Sequence, residues 1–243
     1  MPRAWVGSAC VILQRLLRHP SAVRMAGRLV RVADRPDLVR LGSVYGGWWI
    51  PEHEIPNNAI VYSAGLGVDV TFDLEMLRRY PGCQVWGFDP DPHSVAWLAA
   101  REFPPQMHFM PVGLWVEKGV QRFHRPPGGH GSASIMQGGG AVWYDAECDT
   151  LAGLMHANGH AQVDVLKLDI EGAEGPVLDN LVQSSILPRV LCVEFDKPET
   201  PRQIARRIQR VLDAGYELHK IDGRNLTFSI PRSIEWPSLV TPR

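Results

Sequence analysis

From residue 59 onward, short apolar runs that suit buried strands alternate with segments of helical periodicity. Such alternation restricts the chain to βαβ units and a mainly parallel sheet, because parallel neighbours need a crossover and a helix is the usual one. Ala59-Ile60-Val61-Tyr62 reads as the first strand and is followed by a helix from about Val70 to Tyr80. Gln84 to Phe88 reads as the second strand, Ser94 to Phe103 as the next helix and Met107 to Val112 as the third strand. Asp164 to Leu168 and Val190 to Phe195 supply a fourth and a fifth, with a helix expected over Pro201 to Ala214. Tyr216 to Ile221 and Leu226 to Ile230 flank Asp222-Gly223-Arg224-Asn225, the pattern of a β-hairpin. At 243 residues the chain fits one α/β domain of the doubly wound kind.

What precedes that domain has a different character. The first 33 residues hold Arg3, Arg15, Arg18, Arg24, Arg28 and Arg31 and no acid, with apolar residues at roughly helical spacing. We expect residues 1–45 to be an amphipathic helical extension that covers one side of the domain or helps form a homodimer; peripheral membrane contact is the alternative use of such a segment. The domain itself is expected over residues 46–243, its entry marked by Gly46-Gly47-Trp48-Trp49-Ile50-Pro51 and the turn Pro56-Asn57-Asn58. No run approaches the ~18 apolar residues of a membrane span, and no secretory leader is evident. The four cysteines, Cys10, Cys83, Cys148 and Cys192, lie far apart, which argues against a zinc site or a disulfide framework and for a cytoplasmic setting. Positive and negative side chains nearly cancel, at 25 against 26, so a nucleic-acid partner is not expected.

Chemistry enters where the first strand runs into Ser63-Ala64-Gly65-Leu66-Gly67 and a helix follows. A doubly wound sheet binds its ligand there, and glycine lets the backbone come close. Asp89 ends the second strand about 20 residues on, where a carboxylate accepts hydrogen bonds from both ribose hydroxyls of a nucleoside. The pyrophosphate fingerprint is incomplete, because Val70 replaces the third glycine and Asp69 would set a negative charge beside a phosphate. A cofactor without phosphates and with a cationic sulfonium suits these residues better. The expected cofactor positions are Ser63, Ala64, Gly65, Leu66, Gly67, Asp69, Asp89, Pro90, Val112, Gly113 and Asp169.

The string Asp164-Val165-Leu166-Lys167-Leu168-Asp169-Ile170-Glu171-Gly172-Ala173-Glu174 is a buried strand ending in three acids around a glycine. It resembles the signature of the FkbM-type methyltransferases. The Gly65-x-Gly67 turn, Phe72-Asp73, Phe88-Asp89-Pro90, Gly131-Ser132-Ala133-Ser134, Cys148-Asp149-Thr150-Leu151 and Val193-Glu194-Phe195 agree with that family, over about residues 42 to 230. The resemblance implies a Rossmann-like methyltransferase sheet, S-adenosylmethionine as donor, and O-methylation of a sugar or natural-product hydroxyl, with a small molecule or glycan as acceptor.

Methyl transfer asks the protein to align an acceptor oxygen and take its proton. Asp169 and Glu171 end the fourth strand, where carboxylates can meet the methionine portion of the cofactor, a substrate hydroxyl or a divalent metal; helix N-terminal stabilisation is the competing reading for Glu171 and Glu174. Asp169, His130 and Glu194 are the catalytic candidates: His130 lies in a glycine-rich loop able to close over a substrate, and Glu194 is a carboxylate in an apolar strand. His124, His156 and His160 read as solvated, and Trp48, Trp49, Trp115 and Trp143 as core before pocket. Two other functions compete. A nicotinamide-dependent oxidoreductase would share the glycine turn and Asp89 but want the third glycine, and a non-catalytic membrane-peripheral protein would rely on the basic extension.

Overall fold

The computed structural model describes residues 31–125, 133–135, 142–195 and 201–231. The basic extension up to residue 30, Cys10 and His130 lie outside them. β1 (Leu38–Leu41) and β2 (Trp48–Pro51) form an antiparallel hairpin. Residues 38–41, counted above with the helical extension, are therefore a strand. The hairpin belongs to the core, since Trp48 is 2% and Ile50 0% exposed and β2 packs against the central sheet.

The alternation then unfolds as expected: β3 (Ile60–Ala64), α1 (Thr71–Arg79), β4 (Gln84–Phe88), α2 (Pro92–Ala99) and β5 (Met107–Met110). β6 (Gly113–Leu114), β7 (Gly119–His124) and β8 (Trp143–Asp149) make a separate three-stranded sheet. The order closes with α3 (Leu151–Asn158), β9 (Val165–Leu168), α4 (Glu174–Ser184), β10 (Val190–Glu194), α5 (Pro201–Asp213), β11 (Glu217–Asp222) and β12 (Asn225–Ser229). The seven-stranded sheet runs β11-β12-β10-β9-β3-β4-β5, parallel from β10 to β5, with the hairpin β11-β12 joined antiparallel to β10. The strand order reverses between β3 and β9, so a crevice opens at the carboxyl ends of these two strands. Among the described residues, no helix is long and apolar enough to cross a membrane.

Local chemistry explains the boundaries that differ from the expectation. α2 begins at Pro92 rather than Ser94 because Asp91 caps it, accepting the His93 N–H at 2.8 Å, and proline suits the first helical position. It stops before Phe103, which precedes Pro104 and is pushed out of helical conformation. The third strand ends at Met110 because Pro111 has no N–H for the ladder, and Gly113–Leu114 pair instead with β8. α3 is capped by Thr150, whose Oγ1 accepts the Gly153 N–H at 3.0 Å, and ends at Gly159 in the left-handed region. Thr150→Ala should cost about 1 kcal/mol and lower the melting temperature by about 2–4 °C, measurable by calorimetry.

The core has two layers, one on each face of the sheet, as a parallel sheet requires. All four residues of β9 are buried, yet one of them is Lys167, a cation at 4% exposure.

Candidate active site

A cleft of about 880 Å³ opens at the carboxyl ends of β3, β4, β9 and β10, within the ~300–1,000 Å³ range of small-molecule sites. Its floor is made where two strand-to-helix turns meet. Gly65 leaves β3 at φ +78°, and a Cβ there would lie 1.7 Å from the Asp169 carbonyl oxygen, so only glycine fits. Gly67, also at positive φ, faces open space. Its N–H donates to Asp89 Oδ2 at 2.8 Å, and the Asp91 N–H donates to Asp89 Oδ1 at 2.8 Å. Asp89 is thus oriented by the turn it faces, with one lone pair on each oxygen left for the cleft. Burial raises its pKa, against the lowering effect of the two N–H donors.

Asp69 has a second duty. Its Oδ1 accepts from the Thr71 N–H at 3.0 Å and the Thr71 hydroxyl at 2.6 Å, at the N-terminus of α1. Its Oδ2 accepts from the Ser43 hydroxyl at 2.6 Å. Burial would raise its pKa, but these donors outweigh it and hold the carboxylate below its ordinary range. The carboxylate fills the position an anion would take at that helix end. The same bonds dock the loop over residues 42–47, which Arg40 braces by donating to the carbonyls of Ser43, Val44 and Gly47. Val44 and Tyr45 of this loop stand exposed on the cleft rim.

The opposite end is built from acids. Asp169 follows β9, and Glu194 closes β10, where Arg224 from the β11–β12 turn pairs with it at 2.7 Å. Burial first, and then the Asp169 carboxyl within hydrogen-bonding reach, push the Glu194 pKa up to about 9; Arg224 pulls the other way. Burial and the neighbouring carboxyl thus favour the proton-bearing form of Glu194. The strand-end position and cationic partner are the ones an acid in an apolar strand requires. Glu171 sits at φ +56° on the cleft wall, and its carbonyl accepts from the buried Ser134 hydroxyl at 2.6 Å, which brings residues 133–135 against the floor. Glu174 is 2% exposed, accepts the Ile170 N–H at 2.9 Å and is pushed up to about 8 by burial; it shapes the turn rather than facing the cleft.

Of the expected positions, Gly65, Leu66, Gly67, Asp69, Asp89, Pro90, Gly113, Asp169 and Glu194 line the cleft. Ser63 and Ala64 are wholly buried within β3, and Val112 is half-buried behind Gly113; none of the three is part of the lining. His130 lies outside the described residues. His160 departs from the solvated reading: its Nδ1 is 2.8 Å from the Tyr62 hydroxyl, and its ring meets the edge of Trp86. Trp48 is core and lining at once, while Trp143 is half exposed on the outer hairpin. Lys167 stands inside the 164–174 string, but its role escaped sequence reasoning because its partner, the Gly65 carbonyl, lies 102 residues away. Among the described residues, no group of three His, Cys, Asp or Glu side chains is placed to hold a metal ion.

The methyltransferase FkbM domain family matches residues 62–218 of the chain. The human probable methyltransferase-like protein 24 is 29% identical over 140 residues, 57% of this chain and 32% of that protein. Its rat counterpart is 28% identical over 131 residues, 54% of this chain and 30% of that protein. The chain therefore spans about a third of the length of these relatives. Among solved structures, the Methanococcus jannaschii fibrillarin pre-rRNA processing protein superposes with a TM-score of 0.44 at 11% identity, covering 82% of this chain and 84% of that one.

Proposed function

Since the chain belongs to the methyltransferase FkbM domain family, we propose that it is an S-adenosylmethionine-dependent O-methyltransferase acting on a hydroxyl of a sugar or other small natural product. The observation that carries this reading is one cleft with a nucleoside-type acid, Asp89, at one end and the Asp169–Glu194 carboxyl pair at the other. The donor set fits the cofactor. Asp89 would receive the ribose hydroxyls, and the Gly65–Gly67 backbone leaves room beside it. Asp69, Asp169 and Glu171 give the lining the negative character that a sulfonium and an ammonium require. A dinucleotide fits poorly, because Asp69 already occupies the N–H end of α1 where a pyrophosphate would bind.

When bound, S-adenosylmethionine supplies a methyl group on an electrophilic sulfonium. The remaining work falls to the chain. The floor turns fix the carboxyls at the strand ends, so the acceptor hydroxyl is held by groups that do not reorganise. A carboxylate of the Asp169–Glu194 pair takes the hydroxyl proton, which lowers the negative charge of the pair by one, while Arg224 holds Glu194 in place. Tyr45 and Val44 on the rim offer an apolar face to the ring that carries the hydroxyl.

Calorimetry and a methyl-transfer assay test this. S-adenosylhomocysteine should bind and NAD should not, and labelled methyl should pass to members of a panel of glycosides and phenols. Asp169→Asn and Glu194→Gln should each lower turnover by ~10²-fold, the usual scale for a positioned base. NAD binding without S-adenosylhomocysteine binding would sink the assignment.

A further inference from the structure

The cleft floor rests on a buried cation that the mechanism above does not use. Lys167 is 4% exposed in the centre of β9. Its Nζ donates to the Gly65 carbonyl at 2.7 Å and lies 3.6 Å from Asp169 Oδ2. One ammonium therefore touches both floor turns, the glycine turn after β3 and the acidic turn after β9. Those turns are already in backbone contact, since the space a Gly65 side chain would need is filled by the Asp169 carbonyl.

A buried ammonium is costly, and the structure sets a second acid near it besides Asp169. Asp73 of α1 is 1% exposed and lies within electrostatic reach of Lys167. Burial pushes the Asp73 carboxyl up to about 6, against the pull of Lys167. The Phe72-Asp73 pair that follows the glycine turn thereby has a physical account: Phe72 fills the core, and Asp73 is a buried acid near enough to feel the Lys167 charge.

We infer that Lys167 is the positioning residue of the cleft, its ammonium tying the Gly65 carbonyl to the Asp169 carboxylate so that the cofactor turn and the reacting acid are held in one register. The inference rests on the methyltransferase reading. Glu194 faces Asp169 from β10, where it pairs with Arg224 at 2.7 Å, and Glu171 follows on the same segment, while the Lys167 ammonium lies 3.6 Å from the Asp169 carboxylate.

Lys167→Met alone removes the positive charge that favours the ionised form of buried Asp73 and should lower the melting temperature. The deciding variant is Lys167→Met with Asp73→Asn, which removes the buried charges together and keeps the volume. Exchanging a buried ion pair for neutral groups is often neutral or stabilising, so a residue that only filled space would leave affinity untouched. We expect the double variant to melt at or above the wild-type temperature and to bind S-adenosylhomocysteine ~10- to 100-fold more weakly by calorimetry, the loss of one charge-assisted hydrogen bond. Asp73→Asn with Lys167 retained should stay within ~3-fold of wild type, because the bonds above the ammonium remain. Wild-type affinity in the double variant overturns the inference, as does an equal loss in Asp73→Asn alone. Failure of the wild-type protein to bind S-adenosylhomocysteine would instead remove the methyltransferase reading beneath it.

Discussion

Gly65→Ala should all but abolish S-adenosylhomocysteine binding and destabilise the fold by about 3 kcal/mol or more, with Gly67→Ala as its mild companion. Both glycines have positive φ, so both variants carry the left-handed strain of roughly 1–2 kcal/mol. They differ in what a methyl group meets. At Gly65 the new carbon would stand 1.7 Å from the Asp169 carbonyl oxygen and 2.7 Å from its carbon, both backbone atoms that cannot rotate away. At Gly67 it meets nothing within 4 Å. The two turns must therefore separate in Gly65→Ala, which pulls Asp169 and the Lys167 bond out of place together. A displacement of about 1 Å at a positioned group costs on the order of 10²-fold in rate, so turnover should fall at least that far along with binding. Chemical denaturation and calorimetry on the two variants check this, and equal behaviour of both would mean that strain, not contact between the turns, governs the position.

Asp89→Ala should weaken S-adenosylhomocysteine binding by ~10²-fold or more. Hydrogen bonds to a charged acceptor contribute about 1.5–3 kcal/mol each, and the carboxylate offers its remaining lone pairs to the cleft. The variant also leaves the Gly67 and Asp91 N–H groups without their acceptor, so the turn that faces the cofactor loses its brace. Asp89→Asn should fall between, since one oxygen is kept while the amide sets a donor against a donor. The pKa of Asp89 is raised, so its proton returns at a higher pH than for an exposed carboxylate, and affinity should decline as the pH falls through that point. Calorimetry across the acid range measures both effects; an unchanged dissociation constant in folded Asp89→Ala would place the ribose elsewhere.

Much of this was legible in the chain. Apolar runs of four or five residues between helical stretches specify parallel strands, because a strand covered on both faces has no need of alternation, and β3, β4, β9 and β10 sit where those runs are. The acids at strand ends were legible for the same reason: a carboxylate at the close of an apolar run must lie where water or a partner can reach it. Asp89, Asp169 and Glu194 all meet in the cleft. Local capping was only partly readable, as the start of α2 shows, since Asp91 and Ser94 are both plausible caps and proline at the first turn decides between them.

By itself, then, the sequence determined the doubly wound sheet, the position of the crevice and the acids that face it, because each follows from local periodicity or from the end of a run. Tertiary structure alone decided what joins those parts across distance. Trp48 reads as core from its side chain, but that it and Ile50 are covered by the central sheet, against which β2 packs, is decided by the tertiary structure. Asp69 became a structural acceptor for Ser43 and Thr71, 26 residues and 2 residues away. Lys167 reached Gly65 across 102 residues. Contacts of this kind depend on register and crossover, and a side chain's charge is meaningful only once its neighbours in space, rather than in sequence, are known.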